Sequence, residues 1–164
     1  MNKYPTPDFE NKIVTPDELL NKLPSIKRPL VFTNGCFDIL HRGHVTYLAG
    51  AKSLGAILVV ALNTDESVKR LDKGDDRPLN SLANRMAVVA SLHMVDYVTY
   101  FNEDTPLELI IKIKPDILVK GGDWEISNIV GSHEVLAYNG RVYSIPFVYD
   151  TSTTALINKI RDGN

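Results

Sequence analysis

No stretch of this sequence approaches the roughly 20 apolar residues that a membrane-spanning helix needs, and the opening Met1-Asn2-Lys3-Tyr4-Pro5-Thr6-Pro7-Asp8 has no apolar run to serve as a signal peptide. A soluble, cytoplasmic protein without a membrane partner is expected. A single cysteine, Cys36, excludes an intramolecular disulfide and suits a reducing compartment. Excess positive charge is also missing: 18 Lys and Arg stand against 20 Asp and Glu, and the pI is near 6.1. Nucleic acid is therefore a poor candidate partner, because no basic field is present to hold a long polyanion, whereas a small anion needs only a local positive pocket. Internal repeats and low-complexity segments are absent as well. What remains, 164 residues with 44% hydrophobic and 23% charged, is the composition of one globular domain. A chain of that length buries roughly two-thirds of the surface it exposes when unfolded.

Two apolar runs without polar alternation, 30–33 and 56–62, have the pattern of strands buried on both faces. Between them Val45, Leu48, Ala49, Lys52 and Leu54 form a helical stripe, with Gly55 as the expected C-cap. Ahead of this unit, Thr15-Pro16-Asp17-Glu18 carries an N-cap, a proline at the first helical position and a glutamate three residues after the cap, which predicts a short helix to about Leu23. The alternation then repeats: helix 82–92, strand 97–101, helix 106–113, strand 117–120, helix 132–138, strand 142–145 and a last helix over 152–160. Strands alternating with such helices predict a single-domain α/β fold, a Rossmann-like doubly wound parallel sheet of about five strands with helices on both faces. Residues 1–11 are expected to form a flexible tail and 12–164 the domain. The polar stretch 69–78 is the one long loop expected. Ligands of such sheets bind beyond the carboxyl ends of the strands, so the informative loops are 34–42, 63–80, 102–105, 121–127 and 147–151.

The first of these loops, Asn34-Gly35-Cys36-Phe37-Asp38, leads to His41-Arg42-Gly43-His44. Histidines at i and i+3 place two imidazoles on one side of a helix's first turn. Gly43 between them admits a ligand close to the backbone. A helix N-terminus favours anions through its unpaired N–H groups and dipole, and imidazole donors beside it fit the oxygens of a phosphate chain. An H-x-x-H pair is also a partial zinc motif, but His93 and His133 stand at no ligand spacing to it, so metal ligation by these histidines is not expected. Ser152-Thr153-Thr154 opens the last helix and reads equally as a second anion site or as a plain N-cap. Asp38 has three readings: a helix cap, an orienter of an imidazole, or a contributor to Mg²⁺ placement. Lys69, Arg70 and Lys73 are either solvated loop cations or a cover for phosphates. Arg85 in the first turn of a helix, where the dipole opposes a cation, asks for an anionic partner. Trp124, after Lys120-Gly121-Gly122-Asp123, either stacks on a flat base or packs over the pocket. Cys36 has no paired base and is not read as a nucleophile.

The first loop with His41-Arg42-Gly43-His44 resembles the H-x-G-H cytidylyltransferase-like superfamily. The stretches 62–71, Arg77-Pro78, Arg85-Met86, Val119-Lys120-Gly121-Gly122-Asp123 and Ser152-Thr153-Thr154 resemble, in that order, its heptose 1-phosphate adenylyltransferase branch, over roughly 12–160. The resemblance implies transfer of AMP from ATP to D-glycero-D-manno-heptose 1-phosphate, with Mg²⁺ as helper and ADP-heptose, a precursor of lipopolysaccharide core or other surface glycans, as product. It assigns catalysis to His41, His44 and Lys69. It places the nucleotide against Asn34, Gly35, Cys36, Phe37, Gly43, His44, Asn63, Arg85, Lys120, Gly122, Asp123, Ser152, Thr153 and Thr154, and the sugar phosphate against Asp38, Lys69, Arg70 and Trp124. The arginine that related cytidylyltransferases carry just before the last helix is missing from Phe147-Val148-Tyr149-Asp150-Thr151. Two alternatives stand beside this reading: a cytidylyltransferase for glycerol 3-phosphate or an amino-alcohol phosphate, and a nucleotide-binding module without turnover. Expected partners are ATP, a sugar 1-phosphate and further copies of the chain, a homodimer being the commonest oligomer.

Overall fold

A computed structural model describes residues 5–71, 74, 76–149 and 152–163. Five strands, β1 (Leu30–Gly35), β2 (Ile57–Asn63), β3 (Tyr97–Phe101), β4 (Ile117–Gly121) and β5 (Arg141–Ile145), form one sheet in the order β3-β2-β1-β4-β5. Every pairing is parallel. Seven α-helices connect and cover it: α1 (Pro16–Lys22), α2 (Arg42–Lys52), α3 (Asp65–Lys69), α4 (Leu82–Ala90), α5 (Leu107–Ile113), α6 (Ser132–Ala137) and α7 (Thr153–Asp162). This is the expected doubly wound architecture.

Strand alternation divides the core between the two faces. Val31, Leu58, Val60, Leu62, Ile117 and Val119 pack with Leu48 and Ala51 of α2 and Met86, Val89 and Ala90 of α4. Leu30, Phe32, Val59, Ala61 and Leu118 point the other way, against Leu19 of α1, Leu109, Ile110 and Ile113 of α5 and Val135 of α6. Each such side chain taken fully out of water contributes about 1.5–3 kcal/mol, which is why the apolar residues run unbroken over 30–32 of β1, 57–62 of β2 and 117–119 of β4.

Several local expectations differ from the outcome. The buried face of α2 is Gly43, Tyr47, Leu48 and Ala51, with Ala49 exposed, so the stripe is rotated by about one residue. Its C-cap is Ser53, and Gly55 lies beyond it. Residues 65–69 form α3 where a loop was expected. Thr64 accepts the Ser67 N–H as N-cap, and Asp65 and Glu66 complement the helix dipole. The segment 1–11 expected as a tail is partly docked: Asp8–Lys12 make a 3-10 turn and Phe9 packs on the core, just ahead of Ile13, which bridges to Val98 of β3. At α1 the capping box is formed as the motif requires.

The chain runs outward from β1 to β2 and β3, then crosses back to β4 and β5 on the other side. The switch lies between β1 and β4, and there the connections diverge to opposite faces and open a crevice at the carboxyl edge.

Candidate active site

Two cavities occupy that crevice. The first, of about 580 Å³, lies on the α2 and α7 side and is lined by residues 34–38, His41, His44, Tyr47, Arg77, Lys120, Gly121, Phe147 and Ser152, Thr153 and Thr154. The second, of about 420 Å³, is lined by residues 34–36, Asn63, Leu71, Asp104, Thr105, Pro106, Lys120, Trp124 and residues 128–130. They share Asn34, Gly35, Cys36 and Lys120 as a common wall.

His41 is the N-cap of α2 and His44 its third residue, so the pair straddles the helix start instead of sharing its first turn. Their rings stack with centroids 3.9 Å apart, and Phe37 and Phe147 stand at 5.3 and 6.3 Å from His44. A Cβ on Gly43 would lie 3.0 Å from the His41 ring, so this glycine makes room for the imidazole and not, as expected, for the ligand. Burial pushes the His41 pKa below its ordinary 6.5, and its Nδ1 is buried without a hydrogen-bond partner. The neutral ring is thus a donor or acceptor held ready for something not of the protein.

The helix starts of the fold differ in charge. Helices α1, α3, α5 and α6 each carry an acid in the first turn, and α4 is approached by Asp38, which accepts the Leu79 and Asn80 N–H groups. Helices α2 and α7 have no acidic residue in the first turn, and both begin at the first cavity. The positive ends of two helices are therefore left for an external anion. Ser152 caps α7 by accepting the Ala155 N–H, and Thr153 donates to Ile39 O at 3.2 Å, which ties α7 to the loop after β1.

Asp38 is neither a helix cap nor an imidazole partner. It is buried and accepts Arg77 Nε–H at 2.6 Å together with the Leu79 and Asn80 N–H groups at 2.9 Å. Burial alone would raise its pKa, but the two backbone donors and the Arg77 guanidinium outweigh that and hold the carboxyl below its ordinary range. Arg85 finds its anionic partner within the protein. Fully buried, it donates to Asp65 Oδ1 at 2.7 Å and to the carbonyls of Cys36, Asn63 and Asn80, and it lines neither cavity. Its role is to brace the ends of β1 and β2.

Lys69 is the last residue of α3, exposed, and lines neither cavity. Arg70 pairs with Asp104 at 2.6 Å and also donates to Asn102 O. Lys73 falls outside the described residues. Asn63 and Trp124 line the second cavity, not the first, and Lys120 belongs to both. Asp123 is exposed and lines neither cavity. Gly122 lines neither cavity; its φ of +116° and a virtual Cβ at 2.7 Å from Trp124 Nε1 show that it seats the indole, which donates to Gly121 O. Residues that sequence reasoning missed are Tyr47, Arg77 and Phe147 in the first cavity and Asp104, Pro106 and Asn128 in the second. Arg77 had a signal in the Arg77-Pro78 pair, and Asp104 and Phe147 lie in loops expected beyond the strand ends; Tyr47, Pro106 and Asn128 look like ordinary core or loop.

No group of three or more His, Cys, Asp or Glu able to hold a metal ion occurs among the described residues. Asp38, the one carboxylate lining the first cavity among the described residues, is spent on Arg77 and two N–H groups. The described residues therefore build no cage for Mg²⁺ here. An Mg²⁺ arriving with a nucleotide would keep phosphate oxygens and water as ligands.

A family model described as cytidylyltransferase-like matches residues 32–159. The chain belongs to the cytidylyltransferase-like family. It is homologous to a D-beta-D-heptose 1-phosphate adenylyltransferase from Bordetella bronchiseptica, with 55% identity over 94% of this chain and 97% of the relative. It is also 50% identical over 90% of its length to a bifunctional protein HldE from Marinomonas, of which it spans 31%. Among solved structures, a lipopolysaccharide core biosynthesis protein from Thermoplasma volcanium is 30% identical, with a TM-score of 0.58 over 74% of this chain and 98% of that one. Among the described residues of this cytidylyltransferase-like chain no helix is long and apolar enough to cross a membrane.

Proposed function

We propose that this protein transfers AMP from ATP to D-glycero-D-manno-heptose 1-phosphate, giving ADP-heptose for lipopolysaccharide core or other surface glycans and releasing pyrophosphate. The observation that carries the chemistry is the convergence of the stacked His41–His44 pair and two acid-free helix N-termini on one cavity. The substrate rests on the nearly full-length match to the Bordetella heptose 1-phosphate adenylyltransferase, which makes its β anomer the first to test. The protein acts in the cytoplasm, where ATP, carrying Mg²⁺ on its phosphates, and the sugar phosphate are its small-molecule partners.

The triphosphate lies across the starts of α2 and α7. His41 and His44 face it from one side and Ser152, Thr153 and Thr154 from the other. An oxygen of the sugar 1-phosphate attacks the α-phosphorus in line. As that P–O bond forms, the bond to the bridging oxygen breaks and pyrophosphate leaves with the electron pair. A phosphate monoester has its second pKa near about 6 and is mostly a dianion at neutral pH, so no general base is needed. Catalysis consists of aligning two anions and stabilising charge on the α-phosphoryl oxygens, where preorganised donors act most strongly.

The experiment is a matrix of nucleoside triphosphates against phosphate acceptors, read by pyrophosphate release. ATP with heptose 1-phosphate is expected to exceed every other pair. Preference for CTP with glycerol 3-phosphate or an amino-alcohol phosphate, or nucleotide binding without release, would overturn the proposal.

A pH dependence follows from His41. Its pKa is below 6.5 when the protein is unliganded, and an adjacent phosphate favours the protonated ring and raises it. Between the two values, binding takes up a proton, so affinity for a non-hydrolysable ATP analogue increases as pH falls through that window. Calorimetry in buffers of different ionisation enthalpy is expected to detect the uptake in the parent protein and a smaller one in His41→Gln. Equal uptake in both would remove His41 from the phosphates.

A further inference from the structure

We propose that Arg42 is a further phosphate-binding residue of the transfer site, and that Tyr149 positions it to hold the β- and γ-phosphates of ATP, the part that leaves as pyrophosphate. The assignment rests on the transfer reading above and adds a cation to a cavity whose lining is short of them. Among the described residues, Arg77 and Lys120 are the only arginine and lysine that line the first cavity, and Asp38 offsets the charge of Arg77.

Arg42 is the first residue of α2, and its guanidinium carbon stands 3.7 Å from the centre of the Tyr149 ring. Both residues border the first cavity: Arg42 follows His41, and Tyr149 lies between Phe147 and Ser152, all three of which line it. The contact therefore joins the start of α2 to the segment that enters α7, and these are the two helices without an acid in the first turn that begin at this cavity. That segment, Phe147-Val148-Tyr149-Asp150-Thr151, has no basic residue of its own. The cation beside it comes from α2.

Arginine at this position calls for an anion from outside the protein. A cation in a helix's first turn opposes the dipole, and α2 has no first-turn acid to offset it. Five of the seven arginines, Arg28, Arg70, Arg77, Arg85 and Arg161, pair with an aspartate. The sixth, Arg141, opens β5 at the edge of the sheet opposite the cavities. Arg42 makes no hydrogen bond or ion pair among the described residues, only its contact with Tyr149. Contact with an aromatic ring uses none of the five N–H donors of a guanidinium. A planar fork of such donors binds two phosphate oxygens at once, whereas lysine offers a point charge. When the sugar phosphate attacks the α-phosphorus, the electron pair of the breaking bond passes to pyrophosphate, and Arg42 meets the charge that gathers there.

The test compares nucleotides that differ in the phosphates assigned to Arg42. Dissociation constants of a non-hydrolysable ATP analogue and of AMP are measured for the full chain and for Arg42→Gln, Arg42→Lys, Tyr149→Leu and Tyr149→Phe, each checked by thermal melting. Arg42→Gln is expected to weaken the analogue about ten-fold and AMP by less than about two-fold, the effect of one charged hydrogen-bonding group, and to lower kcat/KM for ATP by at least the same factor. Arg42→Lys recovers part of the loss. Tyr149→Leu weakens the analogue by a smaller factor, and Tyr149→Phe, which keeps the ring, restores it. Arg42 is exposed, so its variants leave the core untouched. Analogue affinity within about two-fold of the parent in Arg42→Gln would make Arg42 a solvated surface cation. Equal losses for the analogue and AMP would mean that it shapes the start of α2 without touching the terminal phosphates. Either result overturns the proposal. The binding comparison needs no acceptor, so a chain that transfers to none ends the transfer reading while the two affinities still judge Arg42, with the analogue of whichever triphosphate the parent binds best.

Discussion

His44→Ala is expected to fold like the parent and to lose about 10²-fold or more in kcat, the usual cost of removing one preorganised donor from a developing oxyanion. The fold is expected to persist because α2 is held by Tyr47, Leu48 and Ala51 in the core, none of which depends on the His44 ring. The ring's contacts are His41, Phe37 and Phe147 around the cavity, so truncation opens space in the site and not beneath the sheet. If the imidazole acts on charge that exists only in the transition state, kcat and kcat/KM fall together while the dissociation constant of an ATP analogue changes little. A variant that raises KM with kcat intact would mean that His44 only holds ground-state phosphate. Near-parental turnover would remove it from catalysis altogether.

The difference between what could and could not be read from the sequence is instructive at this same helix. The motif His41-Arg42-Gly43-His44 located the phosphate site because a strand, a turn and a helix start are local features with local signals. It misplaced Gly43, because what a glycine makes room for depends on which rotamer its neighbour adopts, and here the neighbour is His41. Strands β1 to β5 were legible to within two residues at each end, since double burial leaves unbroken apolar runs in β1, β2 and β4, and the alternation with helices bounds β3 and β5. Helix α3 was not. It has five residues and is too short for a periodic pattern, although Thr64-Asp65-Glu66 was a usable start signal.

Arg85 and Asp38 show a second limit. Both are charged residues beside a motif, and both were expected to meet a ligand. Each is instead satisfied by groups distant in sequence: Arg85 by Cys36, Asn63 and Asp65, and Asp38 by Arg77 and the backbone at 79–80. A sequence displays the charge and hides the partner. Cavity geometry also separated Lys69, expected to be catalytic, from Lys120, expected at the nucleotide: Lys120 lines both cavities and Lys69 neither.

The second large effect expected concerns this framework. Asp38→Asn is predicted to destabilise the protein by about 3–5 kcal/mol, because it leaves the buried Arg77 guanidinium without its counter-charge, and breaking a buried pair costs that much. The side chains are 0% and 6% exposed, so water cannot replace the lost partner. The damage extends along the chain. Asn80, whose N–H and side chain bind Asp38, also accepts from Arg85 through its carbonyl, so loss of Asp38 loosens the start of α4 and the brace on β1. The double variant Asp38→Asn/Arg77→Met should recover part of the loss, since no uncompensated charge then stays buried. The pH dependence has a definite sign. The folded pKa of Asp38 lies below its ordinary 3.8, so its contribution is fully present above that value and is lost as pH falls through the folded pKa. Urea unfolding of parent and variant should thus show a gap that is constant near neutrality and narrows below about pH 4. A gap under about 1 kcal/mol at pH 7, the range of an exposed ion pair, would mean that solvent reaches Arg77 and that the loop over the first cavity is held from elsewhere.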